Sequence, residues 1–438
     1  MSVLLGSSGA SVILGSSGGG VVRRTGGGTS GKTVLAQSDF TYLGYYDLDL
    51  GGEFSYGYGL THRYVSSELR FLAIGHDGGS MKYRLHEIVA PSLNGTVSSS
   101  STIWSDPWVT KRGDANGQWH GLWWDESGGR VWLTSAIDYP DDTYIHVTKA
   151  LNLSVLGSGG SVTSTRGQFG LENIGARAIY GGVTPIPSWF QTAHGVGPYA
   201  VGFGGYTSRM SQGKVPSMGL MLVAVPEPTT YTDEDDIPAS AYTILADHRS
   251  GTTQSAAGTG YDRGRRTSGV YTNYMDNGLD YQALGREPIT GTDPTGTWNN
   301  GRWVWTDSGL GNGAWIDLPT KHGFVLVPHL TSGDVWYQSS TIQFDGTTAE
   351  FQVFDPDGFG EVVNSTRNAY DVAPSSQWTP SWASLIPNGL TGRDSGYPLK
   401  TVKGVSWDET AGRLYLRFSA AQGTWPNLHD RILVWSVS

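Results

Sequence analysis

The sequence predicts an all-β chain, a β-propeller of five blades with six as the alternative, preceded by an extended Gly/Ser-rich arm. Three observations carry that reading. The 438 residues include 63 Gly, 17 Trp and 22 Tyr, with only 16% charged, a balance that suits many short strands joined by tight turns. The stretch HGLWWDESGGRVWLTSAIDY, His120 to Tyr139, returns as GVSWDETAGRLYLRF, Gly404 to Phe418, with Trp124 to Trp132 spaced as Trp407 to Tyr415. Three further stretches follow the same plan of strand, polar turn and strand, and such units become stable only by stacking on their neighbours.

In chain order, residues 1–36 stand apart. Val3-Leu4-Leu5 and Val12-Ile13-Leu14 are apolar triplets on a Gly/Ser thread that cannot build a core of its own. Unpaired, they leave strand edges in water, which predicts a docking arm held by another structural protein or by a second copy, and not by its own propeller. The propeller is expected over 37–438, opening with Phe40 to Leu50, which alternates aromatic and polar as a half-buried strand does. The first unit follows with Gly59-Leu60, Leu69 to Ile74 and Tyr83 to Val89. The second continues from the opening repeat to Tyr144–Val147. Pro187–Phe190, Tyr199–Phe203 and Gly219–Val225 make the third. Ala314–Asp317, Gly323–Val327, Val335–Tyr337 and Glu350–Phe354 make the fourth. Gly404–Phe418 and Arg431–Trp435 close the chain. A long insertion is expected over about 226–300, where a sixth unit could hide.

These units resemble the blades of five-bladed propellers, a group that includes sugar-binding lectins and several glycoside hydrolase families. Ala200 to Tyr206, Ser217 to Leu220, Trp315 to Asp317 and Lys321 to Phe324 are in addition similar to propeller-like proteins encoded by bacteria and their phages. The resemblance implies the fold and adds little on chemistry.

Charge and composition exclude several classes. A net charge of −10 argues against a nucleic-acid surface. Without Cys there are no disulfides and no thiolate metal sites. No apolar run is long enough to enter a membrane as a helix, and the start of the chain lacks the pattern of a signal peptide.

The chemistry-bearing candidates are few. Trp119, Trp303 and Trp425 sit beside Gly, Asn or Gln and offer flat faces for a sugar ring. Asp125, Asp317 and Asp408 recur at or after a first strand, where they could line a central channel. The same turn chemistry suits a side chain that caps its own backbone. Paired carboxylates would serve glycoside hydrolysis if two converged. Asp355, Asp357 and Glu361 alternate around Gly as calcium-loop residues do, although a solvated acidic loop explains them as well and no cofactor is expected. No nucleophile elbow, phosphate loop or zinc-protease motif occurs. The function expected is therefore a non-enzymatic attachment module: a virion structural, decoration or receptor-binding protein in an external assembly, docked through its arm. The alternatives are a carbohydrate-active propeller enzyme and a lectin-like binder of a cell-surface glycan, with Trp119, Trp303, Trp425, Asp125 and Asp317 as the ligand-binding candidates.

Overall fold

The structure is a computed structural model that describes residues 4–5, 11–12, 30–50, 59–76, 83–97, 99–105, 117–137, 145–152, 168–171, 182–203, 220–227, 236–238, 240–247, 313–338, 341–369, 372–387, 402–424 and 427–438. Strands dominate it, and the larger sheets are antiparallel meanders. Sheet 1 holds Leu60–Val65, Glu68–His76, Tyr83–Val89 and Ser101–Ser105. Sheet 2 holds Gly117–Asp125, Arg130–Ile137, Ile145–Asn152 and Gln168–Leu171, extended in parallel by Asp236–Ile237. Val183–Pro185, Tyr199–Gly202, Met221–Val225 and Thr243–Asp247 form sheet 3. Sheet 4 runs Gly313–Asp317, Lys321–Leu326, Phe351–Phe354 and Pro374–Trp378. Sheet 5 joins early and late parts of the sequence: Val402–Asp408, Arg413–Thr424 and Asn427–Val437 are followed by Phe40–Leu48, which Gly95–Val97 extends in parallel.

The repeated sequence produces a repeated hairpin. Asp125 pairs with Arg130 and Asp408 with Arg413, each across a four-residue turn. Gly129 and Gly412 take φ values of +60° and +61°, a left-handed conformation that glycine adopts without a Cβ clash. Asp125 Oδ1 accepts from Gly128 N at 3.0 Å and from Ser127 Oγ at 2.7 Å, and Asp408 Oδ1 accepts from Ala411 N at 2.9 Å. The capping expected at these two positions is present.

Cores lie between neighbouring sheets. Ala200, Leu222 and Ala224 of sheet 3 meet Phe324, Leu326 and Phe354 of sheet 4. Ile316, Val325 and Val353 of sheet 4 meet Leu414, Leu416 and Leu433 of sheet 5. Sheet 5 in turn meets sheet 1 through Tyr46, Tyr415, Ile432, Phe71 and Ala73. Trp132 and Tyr415, seven residues beyond the Asp of their hairpins, fill equivalent gaps. Trp132 is 5.1 Å from Tyr199 on sheet 3, and Tyr415 is 5.0 Å from Phe71 on sheet 1. An all-β chain in a propeller-like arrangement of four blades is thus borne out.

Several local expectations are corrected. Pro187–Phe190 is not a strand: Ser188–His194 is a helix that buries Phe190, and the inner strand is the short Val183–Pro185, cut off by its own proline. Val335–Tyr337 belongs to a separate hairpin, His329–Gln338 with Thr341–Ala349. The expected insertion at 226–300 contributes Asp236–Ile237 and Thr243–Asp247 to sheets, while 248–300 lies outside the described residues.

The arm is corrected in part. Thr33–Val34 adds in parallel to Lys321–His322, Leu35 is buried, and Lys32 Nζ reaches Asp317 Oδ1 at 2.7 Å. Residues 30–36 therefore seat on their own propeller, because an unpaired segment of sheet 4 was available to them. Leu4–Leu5 pairs with Ser11–Val12, while Val3, Ile13 and Leu14 lie outside the described residues.

Candidate functional site

The first strands of all five large sheets converge on one cavity of about 490 Å³. Thr61–Tyr64, Leu122–Asp125, Val183–Pro185, Gly313–Trp315 and Val405–Asp408 line it, and the turns of the two repeated hairpins form part of its rim. Alternation along a strand explains the lining, since every second side chain of an innermost strand must face the axis.

Its polar centre is built from sheets 1 and 5. His62 Nδ1 lies 2.8 Å from Ser406 Oγ, and its Nε2 is 3.7 Å from Asp408 Oδ1. Tyr64 donates to Asp408 Oδ2 at 2.8 Å, and the buried Tyr415 hydroxyl donates to the same oxygen at 3.3 Å. Burial and the hydrogen bond to Asp408 push the Tyr64 phenol up to about 12. Burial likewise raises Tyr415, with the Asp408 charge adding to it. His62 is lowered by its own burial, against the pull of Asp408 and Glu126, so it stays neutral at pH 7.

Aromatic faces and exposed acids surround that centre. Trp123, Trp124 and Trp407 are half-buried and line the cavity, and Tyr64 is 38% exposed. Trp124 Nε1 donates to Glu126 Oε2, and the Arg63 guanidinium sits 5.3 Å over the Trp124 ring. Arg63 is paired with Glu87 at 2.5 Å, so its charge is already balanced. Glu126 and Glu409, the first residues of the two equivalent turns, are exposed at the rim. Asp125 and Asp408 are only 3% and 1% exposed. Their oxygens hold hairpins and tyrosines together, which leaves them poorly placed to exchange protons with a bound molecule.

The candidates from the sequence divide accordingly. Asp125 and Asp408 both line the cavity. Asp317 does not: it lies on sheet 4 against Lys32 and Trp189 Nε1, the latter at 3.1 Å. It also caps no turn, a correction to the reading that treated the three Asp alike. Trp119 is on the first strand of sheet 2, whereas Trp303 and Trp425 lie outside the described residues. Trp124 and Trp407, the matched tryptophans of the two repeated hairpins, both line the cavity, and Trp407 packs in addition against the core between sheets 4 and 5. Sequence reasoning missed His62, Tyr64 and Glu409, although the matched hairpins already gave Trp407 and Glu409 as counterparts of Trp124 and Glu126.

The calcium-loop candidates have separate fates. Asp355 caps the helix Pro356–Val363 by accepting from Asp357 N at 3.0 Å. Glu361 instead pairs with Arg367 at 2.7 Å. Among the described residues, the group able to hold a metal is His322, Asp355 and Asp357, whose ligand atoms lie within 4.8 Å of one another. The short loop closes into a helical turn, which carries Glu361 away from the two Asp.

No protein-family model and no curated protein matches the chain. Among solved structures it is similar to a glycosyl hydrolase from Bacteroides ovatus, at 9% identity and a TM-score of 0.40 over 92% of each chain. It is also similar to an alpha-L-arabinofuranosidase from Podospora anserina, at 7% identity and a TM-score of 0.35 over 90% of this chain and 97% of that one. Neither the fold nor these likenesses supports the virion or bacteriophage role expected from the sequence.

Proposed function

We propose that the chain is a five-bladed propeller that binds a carbohydrate in the cavity where its first strands meet. The count of five rests on the order of neighbours. The first strand of sheet 1 touches that of sheet 2, and so on through sheets 3, 4 and 5, whose first strand touches sheet 1 again. That closed order of neighbours supports five blades over six.

The observation that carries the binding role is the lining of the cavity. Three tryptophan faces and an exposed tyrosine stand beside exposed carboxylates and hydroxyls. Sugars present apolar C–H faces edged with hydroxyls, and this combination of flat aromatics and acceptors suits them. Binding without turnover is favoured because the two inner carboxylates are buried and internally bonded. The apolar triplets within residues 1–29 keep their proposed role as a docking segment for another protein or a second copy.

The test is a glycan-array screen followed by tryptophan-fluorescence titration of the best ligand. Trp407→Ala is expected to weaken binding about tenfold or more, equivalent to roughly 1.4 kcal/mol. Absence of any glycan ligand, or a ligand indifferent to Trp407→Ala and Tyr64→Ala, overturns the proposal. Release of reducing sugar that disappears in Glu126→Gln or Glu409→Gln would replace binding by glycoside hydrolysis.

A further inference from the structure

We infer that His322, Asp355 and Asp357 bind one divalent transition-metal ion of the zinc type, between sheet 4 and the helix Pro356–Val363. The site lies apart from the central cavity. Its three ligand atoms are already within 4.8 Å of one another.

Two further observations point to a ligand there. His322 is wholly buried, yet its Nε2 has Asp355 Oδ1 and Ser30 Oγ at 3.5 Å and no nearer partner among the described residues. Both contacts lie at the long limit of a hydrogen bond, so Nε2 has room for a closer ligand. The other observation is His194, at the end of the helix Ser188–His194. Both its ring nitrogens are shut from solvent without a partner among the described residues, within electrostatic reach of Asp357.

The surroundings suit ligation. Ser30 Oγ lies 3.0 Å from His322 Nδ1. With Nδ1–H donated to that hydroxyl, Nε2 turns its lone pair toward the carboxylates, the usual way in which an outer partner orients a metal-binding imidazole. Two carboxylates set side by side repel each other, and a cation between them removes the repulsion.

The donor set selects the ion. Calcium takes six to eight oxygens, and the third acid of the expected calcium loop, Glu361, is held by Arg367. One imidazole and two carboxylates instead match zinc, with the fourth position open to water or, after a side-chain rotation, to His194. The bound ion would tie the Ser30 strap, sheet 4 and the helix into one unit.

The experiment uses the full chain, stripped with a chelator and titrated calorimetrically with zinc chloride and, in parallel, calcium chloride. About one zinc per chain is expected, with calcium much weaker. His322→Gln should abolish the uptake, and Asp357→Asn should weaken it at least about tenfold. Glu361→Gln should bind zinc as the wild type does. Circular dichroism melts establish that each variant is folded. If His322→Gln does not fold, Asp357→Asn, at a half-buried position, decides the matter. The inference fails if zinc uptake is absent, if it is unchanged in a folded Asp357→Asn variant, or if calcium is preferred.

Discussion

Arg417 gives the sharpest test of how sheet 5 is joined to sheet 1. Its guanidinium and Asp430 are both fully buried, joined from Nε and Nη2 to Asp430 Oδ2 at 2.8 Å each. Its Nη1 donates to Gly59 O at 3.0 Å and to Ile74 O at 2.9 Å, both carbonyls of the neighbouring sheet or its entry. Arg417→Met keeps the aliphatic length but strips the cation from a carboxylate with no access to water. Breaking a buried pair from one side costs about 3–5 kcal/mol, and two carbonyls losing a donor add about 1 kcal/mol or more. The loss expected is therefore about 4–6 kcal/mol. Adding Asp430→Leu to make the double variant removes the stranded charge and should recover about 2 kcal/mol or more, because a matched apolar pair is close to neutral. The assay is urea unfolding at pH 7, followed by circular dichroism and by tryptophan fluorescence, with coincident transitions as the check on two-state behaviour. A double variant as unstable as the sum of the two single ones, or an Arg417→Met cost below about 1 kcal/mol, would refute the reasoning.

Two further expectations follow from the same cores. Trp132→Ala removes a ring that is 1% exposed and packed on Tyr199, and should lower stability by about 3–5 kcal/mol in the same assay. His86 is pushed down to about 4 by burial and by the nearby Arg417 and Arg84 charges. Its unfolded value is near 6.5, so its contribution is complete above that pH and is lost as pH falls toward 4. The loss amounts to about 3 kcal/mol in full and about 2 kcal/mol by pH 5. Unfolding at pH 7 and pH 5 measures it, and Arg417→Met should make the loss smaller, because removing that cation brings the folded-state value closer to 6.5.

What could be read from the sequence was whatever the chain settles locally. The two Asp-Glu turns ending in Gly-Arg fix their hairpins within ten residues. Continuous apolar runs such as Phe71 to Ile74 and Met221 to Val225 announce strands buried on both faces. Partners chosen at long range could not be read. Asp317 resembled its two counterparts until Lys32, 285 residues away, took its carboxylate. Val183–Pro185 is too short to show a period, and the β-forming Trp189 and Phe190 disguised a helix whose apolar face was needed against sheet 4. Half of the cavity was legible, because Asp125 and Asp408 sit in the repeat. The other half, His62 and Tyr64, comes from a sheet whose hairpin lacks the repeated turn.

The strand Phe40–Leu48 carries Gly95–Val97 on one edge and Asn427–Val437, synthesised far later, on the other, and Ser438 N donates to Asp39 O at 3.1 Å near that junction. Lys321 clasps the same junction through Asp39 and the Ser438 carbonyl. During translation this early strand must wait, with its edge unpaired, until almost four hundred residues later its partner Asn427–Val437 leaves the ribosome. A message broken shortly before Asn427 would thus yield an open ring with two bare edges, which invites aggregation and proteolysis. Quality control in the cell would read the loss of that one strand as the loss of the closed ring.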